Sequence, residues 1–158
     1  MRIVTVCLGN ICRSPTAQAA IEEALAEEGL DARVEVDSAG TSRYHEGEPP
    51  DSRMRRAAQE AGLHLHGKGR KVTREDLEHA DLVLAMDRAN LRDLQRMAPE
   101  DAQERIRLFR EFDPQAPADA EVPDPYFGGP QGFEEVVELA RRAARGVVAH
   151  VRGELEAA

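Results

Sequence analysis

Cysteine is scarce in this chain: Cys7 and Cys12 are the only two among 158 residues. Two thiols make no disulfide framework, and a reactive one is best kept in a reducing compartment, so a cytoplasmic protein is expected. No apolar run approaches membrane-spanning length, and the chain passes directly into a strand, so neither a membrane nor a targeting segment is expected. Cations are in deficit, with 21 Lys and Arg against 30 Asp and Glu and a net charge of −9. That balance argues against nucleic acid, which wants a basic face. Any anionic ligand must then be held by positive potential local to its site. Arg43, Arg53 and the cluster from Lys68 to Lys71 could contribute, although a solvated surface is the preferred reading of each. His45, His64, His66, His79 and His150 show no ligand spacing with carboxylates, so no metal and no cofactor is expected. There are no repeats and no low-complexity segments, and the length fits one domain over 1–158 with enough chain for a core.

What is present is an alternation of strand and helix patterns. Strands are expected at Arg2–Val6, Arg33–Ser38, Leu82–Ala85 and Ile106–Leu108. Helices are expected at Pro15–Glu28, Asp51–Ala61, Arg88–Met97 and Gly132–Val151, with a short helical turn around Arg74–Ala80. Ala17, Ala20, Ile21, Ala24 and Leu25 recur at helical spacing, as do Phe133, Val136, Val137, Ala140, Ala144 and Val147, which marks core faces. The order implies an α/β fold: a four-stranded parallel sheet with helices on both faces and right-handed crossovers. Its ligand crevice belongs at the carboxyl ends of the strands. The proline-rich stretch Asp113–Pro130 reads as a loop.

The run Val6-Cys7-Leu8-Gly9-Asn10-Ile11-Cys12-Arg13-Ser14-Pro15 lies at the end of the first strand. Pro15 suits the first position of the following helix. A tight loop between strand and helix aims backbone N–H groups at one point, with the helix dipole behind them, and so forms an anion site from Leu8 to Ser14. Neither a Gly-x-Gly-x-x-Gly nor a Gly-Lys-Ser/Thr fingerprint is present. Gly9 and Asn10 are residue types that tolerate the left-handed backbone of such a curl. A cysteine attacks as a thiolate, a form favoured by amide dipoles, a neighbouring cation and a helix N-terminus, all of which position 7 would have. Arg13 offers a planar fork for two phosphate oxygens and for the charge that develops on them. Ser14 is near enough to donate to the Cys7 sulfur. The chemistry implied is double displacement through a phosphocysteine.

Such a reaction needs an acid for the leaving oxygen. Asp124, stiffened between Pro123 and Pro125, is the candidate, acting afterwards as the base that activates water. Asp113-Pro114 has nothing further to mark it as catalytic. A curled loop also brings Cys12 towards Cys7, within roughly 4.4 to 6.8 Å between Cα atoms if a disulfide is to form. Cys12 is then either a small packed hydrophobe or a trap for an oxidised Cys7.

The run from Val6 to Pro15 resembles the signature of the low-molecular-weight protein tyrosine phosphatases. The likeness continues through Asp37-Ser38-Ala39-Gly40-Thr41, Pro49-Pro50-Asp51, Ala85-Met86-Asp87 with Asn90-Leu91, Asp124-Pro125-Tyr126-Phe127-Gly128 and Phe133-Glu134. It covers essentially the whole chain. The resemblance implies a metal-independent phosphatase, with Cys7 as nucleophile, Arg13 as phosphate clamp and Asp124 as general acid. It also implies that Ser38 and Asn10 hold the loop by hydrogen bonds, and that Tyr44, Tyr126 and Phe127 form an aromatic cleft around the substrate's ring. Three of only six Phe and Tyr residues would then stand in two loops. Ile11 matters because the tyrosine-selective members carry a bulky apolar residue there, whereas relatives acting on phosphoarginine carry threonine. The implied partner is a phosphotyrosine-containing protein or peptide, with phosphate as product and the enzyme a monomer. A protein arginine phosphatase, a small-molecule phosphatase and a non-catalytic phosphate-binding module remain as alternatives. Arsenate reduction by a cysteine relay is disfavoured, since no cysteine follows Cys12.

Overall fold

The computed structural model describes residues 1–158. Four strands, β1 (Arg2–Cys7), β2 (Glu35–Gly40), β3 (Leu82–Ala85) and β4 (Ile106–Leu108), form one sheet in the order β2-β1-β3-β4. Every neighbouring pair is parallel. Five α-helices connect and cover them: α1 (Arg13–Glu27), α2 (Ser52–Glu60), α3 (Arg74–His79), α4 (Arg88–Met97) and α5 (Pro130–Ala157). The strand residues alternate between two cores, as the period of two requires. Ile3, Cys7, Leu82 and Leu84 join the larger core under α1, α2 and α5, while Val4, Val6, Val83 and Ala85 join a smaller one under α3 and α4. The α/β class, the parallel sheet and its two covered faces are those read from the sequence.

Several boundaries differ from the pattern-based expectation, each for an identifiable reason. Strand β2 occupies Glu35–Gly40 and not Arg33–Ser38, because its register is set by β1, with Arg2 opposite Glu35 and Cys7 opposite Gly40. Helix α1 begins at Arg13, so Pro15 stands at its third position and not its first. The first turn leaves its N–H groups without intrahelical partners anyway, so a proline there removes no bond. The earlier start places the amides of Arg13 and Ser14 in that unpartnered turn. Asp51 lies outside α2 as its N-cap, accepting from the amides of Arg53 and Met54 at 2.8 and 3.3 Å. Helix α3 starts from a reciprocal cap between Thr73 and Asp76. Helix α5 outruns its apolar stripe at both ends; its last buried residue is Val151, and of the remainder Leu155 still packs, half-buried, against the larger core. Two short 3-10 segments, Glu100–Arg105 and Phe109–Phe112, flank β4 and carry no periodic signal in the sequence.

Gly40 shows how tightly β2 meets the loop after β1. A Cβ there would lie 2.8 Å from the Leu8 carbonyl oxygen and 3.1 Å from the Asn10 Cβ. The end of the sheet at which β1 delivers Cys7 is therefore closed against this loop by a position that only glycine fits.

Candidate active site

The loop from Leu8 to Cys12 curls around the Cys7 sulfur. Asn10 takes the left-handed conformation at φ 58°, while Gly9 does not, so the single such backbone turn falls on the asparagine. That turn aims the Asn10 amide at Cys7 Sγ, 3.2 Å away. Gly9 serves another purpose: a Cβ there would stand 3.0 Å from the His45 ring. The Asn10 side chain ties the curl to three elements. Its Nδ2 donates to Ser14 Oγ at 2.8 Å and to Ser38 Oγ at 3.0 Å, and its Oδ1 accepts from the Arg70 amide at 3.0 Å.

Ser14 Oγ lies 3.1 Å from Cys7 Sγ. Asn10 already donates to this hydroxyl, so its one hydrogen can point to the Cys7 sulfur or to the Ala39 carbonyl at 3.4 Å, and a thiolate sulfur is the nearer and charged acceptor. Thr5 Oγ1 donates to the Ser14 carbonyl at 2.8 Å and locks the same turn from below.

Arg13 is buried, with 4% of its surface exposed. Its Nη1 donates to Asp87 Oδ2 at 2.7 Å and to the Val122 carbonyl at 3.1 Å, and its Nη2 stands 3.7 Å from Asp124 Oδ2. Burial works against the guanidinium charge, but Cys7 and the Asp87 carboxylate outweigh it and raise the Arg13 pKa above its ordinary value. Asp124 sits half in solvent at the mouth, where its Oδ1 accepts from the Tyr126 amide at 3.1 Å. Asp113 is different. It is buried, accepts from the Gln115 amide at 2.9 Å and pairs with Arg142 of α5 at 3.1 Å, which makes it a clasp between loop and helix.

Cys7, Leu8, Gly9, Ile11, Cys12, Arg13 and Asp124 line one cleft of about 420 Å³ together with Ser42, Tyr44, His45, Tyr126 and Phe127. The three aromatics do not enclose it equally. Tyr126 is half-buried against the core, whereas Tyr44 is 85% and Phe127 94% exposed. These two form an open rim, not closed walls, because each extends from a loop with no element packed behind it. Leu8, 51% exposed, completes the rim.

Both thiols are free and buried. Burial, reinforced by the charges of Asp51, Cys7 and Asp124, pushes Cys12 far above the ordinary thiol range. Cys12 is therefore held in its protonated form beside a charged Cys7, and only Cys7 has an amide and a hydroxyl on its sulfur. No three His, Cys, Asp or Glu side chains assemble as a candidate metal site. None of the basic cluster from Lys68 to Lys71 lines the cleft, and Arg70 within it is paired with Asp37 and Asp76 at 2.9 and 2.8 Å. Arg53 is held by Asp51 and stacks over the Tyr126 and Phe133 rings, 5.1 and 4.9 Å from their centroids.

Two participants were not singled out from the sequence. Asp87 had a usable signal, since an Asp after a strand and before a helix is an N-cap at the carboxyl end of a sheet. It caps α4 through the Asn90 amide at 2.7 Å with one oxygen and holds Arg13 with the other. His45 had none. Its ring stacks edge-on with Tyr44 at 4.7 Å and tilts towards Tyr126 at 5.9 Å, and its Nδ1 lies 2.6 Å from Glu48.

A parallel sheet that delivers a cysteine to the start of an anion-binding strand–loop–helix unit places the chain with the cysteine-dependent phosphatase folds. Comparison with known proteins narrows this. The family model for low molecular weight phosphotyrosine protein phosphatase matches residues 2–157. The chain is 42% identical to a low molecular weight protein-tyrosine-phosphatase of Streptomyces coelicolor, covering 98% of this chain and 96% of that one. It is 38% identical to the low molecular weight phosphotyrosine protein phosphatase of Rattus norvegicus, over 90% of each. A crystal structure of a protein tyrosine phosphatase from Entamoeba histolytica superimposes with a TM-score of 0.94 at 35% identity, covering 98% of both chains. The chain belongs to the low molecular weight phosphotyrosine protein phosphatase family.

Proposed function

We propose that this protein is a metal-independent protein tyrosine phosphatase that hydrolyses phosphotyrosine and other aryl phosphate monoesters through a phosphocysteine. The observation that carries the reading is that Cys7, Arg13 and Asp124 line one cleft, with the Asn10 amide and the Ser14 hydroxyl both on the Cys7 sulfur. The phosphate sits in the loop from Leu8 to Ser14, its oxygens met by loop amides. Arg13 is held at Nη1 by Asp87 and Val122, which leaves its Nε–Nη2 edge for two equatorial oxygens. Cys7 attacks phosphorus in line while Asp124, protonated, gives its hydrogen to the departing phenolic oxygen. The S–P bond forms as the P–O bond breaks.

In the second half, the Asp124 carboxylate takes a proton from the attacking water, and Ser14 stabilises the departing Cys7 thiolate. Arg13 and the amides supply the charge stabilisation throughout. Buried, apolar Ile11 on the cleft supports an aryl substrate over phosphoarginine. Tyr126 flanks the substrate ring, and Tyr44 and Phe127 reach the surface around it. No helix is long and apolar enough to cross a membrane. We assign the protein to the cytoplasm, in keeping with its two free thiols.

The test is hydrolysis of p-nitrophenyl phosphate between about pH 4 and 8 by wild type and Cys7→Ser, with a strong chelator present. Turnover by wild type alone is the expected result. Absence of turnover by fresh, reduced protein refutes the reading in favour of a phosphate-binding module, and loss of activity restored by added metal refutes its metal independence.

A further inference from the structure

The cleft that holds Cys7 does not end at Asp124. On the far side of the Pro123–Asp124 segment lies a second depression of about 410 Å³, lined by Arg13, Asp87, Arg88, Ala89, Arg92, Glu121, Val122, Pro123 and Asp124. Arg13 and Asp124 line both, so the two compartments adjoin. The outer wall of the second is α4. This helix buries Asn90 and Leu94 and turns Arg88, Arg92 and Arg96, at four-residue spacing, to the outside.

The charges in this compartment are not equally committed. Asp87 caps α4 and holds Arg13. Asp124 faces Arg13. Glu121 accepts from the Arg88 backbone amide at 2.8 Å and stands 3.5 Å from its guanidinium. Arg96 pairs with Asp93 at 3.2 Å. Arg92 alone on this face has no carboxylate. In a chain of net charge −9, whose carboxylates repel an acidic polypeptide, a guanidinium with no carboxylate partner stands here beside the catalytic cleft. It provides one cation where such a polypeptide could be received.

We propose that this compartment docks an acidic side chain next to the phosphorylated residue of a polypeptide substrate, with Arg92 as the receiving cation and Arg88 beside it. The proposal rests on the phosphatase reading of the Cys7 cleft. A polypeptide that places its phosphorylated ring against Cys7 has one flank directed over Asp124 into the second compartment. An Asp or Glu on that flank meets Arg92, and Arg88 can reach it by leaving Glu121, whose bond to the Arg88 backbone amide is kept. A small aryl phosphate reaches only the first compartment and does not sense Arg92.

The experiment measures kcat/KM of wild type, Arg92→Glu and Arg88→Glu on p-nitrophenyl phosphate and on phosphotyrosyl peptides identical except for Asp or Lys at the flanking positions, at low and high salt. In wild type the Asp peptides are favoured. In Arg92→Glu that preference falls by about three- to tenfold, and the change shrinks at high salt. Arg88→Glu acts in the same direction, less strongly, and p-nitrophenyl phosphate turnover is unchanged in both. An Asp-to-Lys ratio that is the same in all three proteins overturns the docking site while leaving the phosphatase reading intact. A fall of equal size on every substrate also overturns it. If wild type hydrolyses none of the substrates, the phosphatase reading fails and the docking site with it.

Discussion

Replacing Asn10 with alanine tests how the phosphate loop is held. The substitution removes three hydrogen bonds, to Ser14 Oγ, Ser38 Oγ and the Arg70 amide. At about 1 kcal/mol net for each, that is about 3 kcal/mol. Alanine at φ 58° adds about 1 kcal/mol of backbone strain that asparagine largely escapes. Water reaches the half-buried Arg70 amide and returns part of its bond, so the expected loss is about 2–4 kcal/mol. Asn10→Gly separates the two contributions, because glycine accepts the left-handed turn but makes none of the bonds. It should recover about 1 kcal/mol of stability relative to Asn10→Ala. Urea unfolding of the three proteins measures both differences, and turnover of p-nitrophenyl phosphate reports whether the Asn10 amide is still aimed at Cys7. An Asn10→Ala variant within about 0.5 kcal/mol of wild type would show that the loop holds its shape without these bonds.

Asp124→Ala should lower the turnover of aryl phosphates by roughly 10²–10⁴, with little change in unfolding free energy; an unchanged rate removes it from the mechanism. Acid should weaken the fold through Asp76 and Asp51. Burial works to raise Asp76, but hydrogen bonds from Arg70 and Thr73 hold its pKa below the usual value; for Asp51, burial is likewise outweighed by bonds from Arg53 and Met54. A carboxylate depressed in the folded state contributes stability that is fully present above its unfolded pKa of about 3.9 and is lost as pH falls through its folded value. The stability gap between wild type and Asp76→Asn should therefore be widest near neutrality and narrow below about pH 4; a gap independent of pH contradicts the assignment. Peroxide should convert Cys7 to a sulfenic acid, which removes the Cys7 charge that helps to hold Cys12 protonated. Cys12 then gives up its proton and attacks the Cys7 sulfur, the sulfenic hydroxyl leaves as water, and a Cys7–Cys12 disulfide remains that thiol reduces. Oxidised protein that shows no intramolecular bond by mass, or does not recover activity with thiol, excludes the trap.

The parts of this protein legible in its sequence are those encoded within one local unit. Ile3 to Pro15 is a strand, a loop and the start of a helix in consecutive residues, so periodicity, glycine and proline placement and the cysteine-to-arginine spacing report the phosphate loop directly. Helix α4 was legible to the residue because Asp87 caps it and its apolar positions recur at helical spacing. The start of α1 was misplaced because Pro15 fits both the first and the third helical position, and only the sulfur-centred curl of the loop distinguishes them. Strand β2 was displaced by two residues because its register depends on the partner strand, about which its own composition says nothing.

By itself, then, the amino-acid sequence determined the chemistry: a thiol, a guanidinium and a carboxylic acid of the types phosphoryl transfer needs, on a βα framework with two apolar faces. Only the tertiary structure decided how those groups are restrained and what surrounds them. Asp87, after β3, reaches Arg13, after the neighbouring β1; Asn10 joins Ser14 to Ser38 and the Arg70 backbone, and His45 rests on Gly9. Tyr44 and Phe127 became a rim and not a wall, and Arg92 was left without a partner beside the cleft. The physical reason is that such contacts join segments distant in the chain. Each residue alone has an ordinary local explanation, and its role is set by which elements the packing of the two cores brings against it.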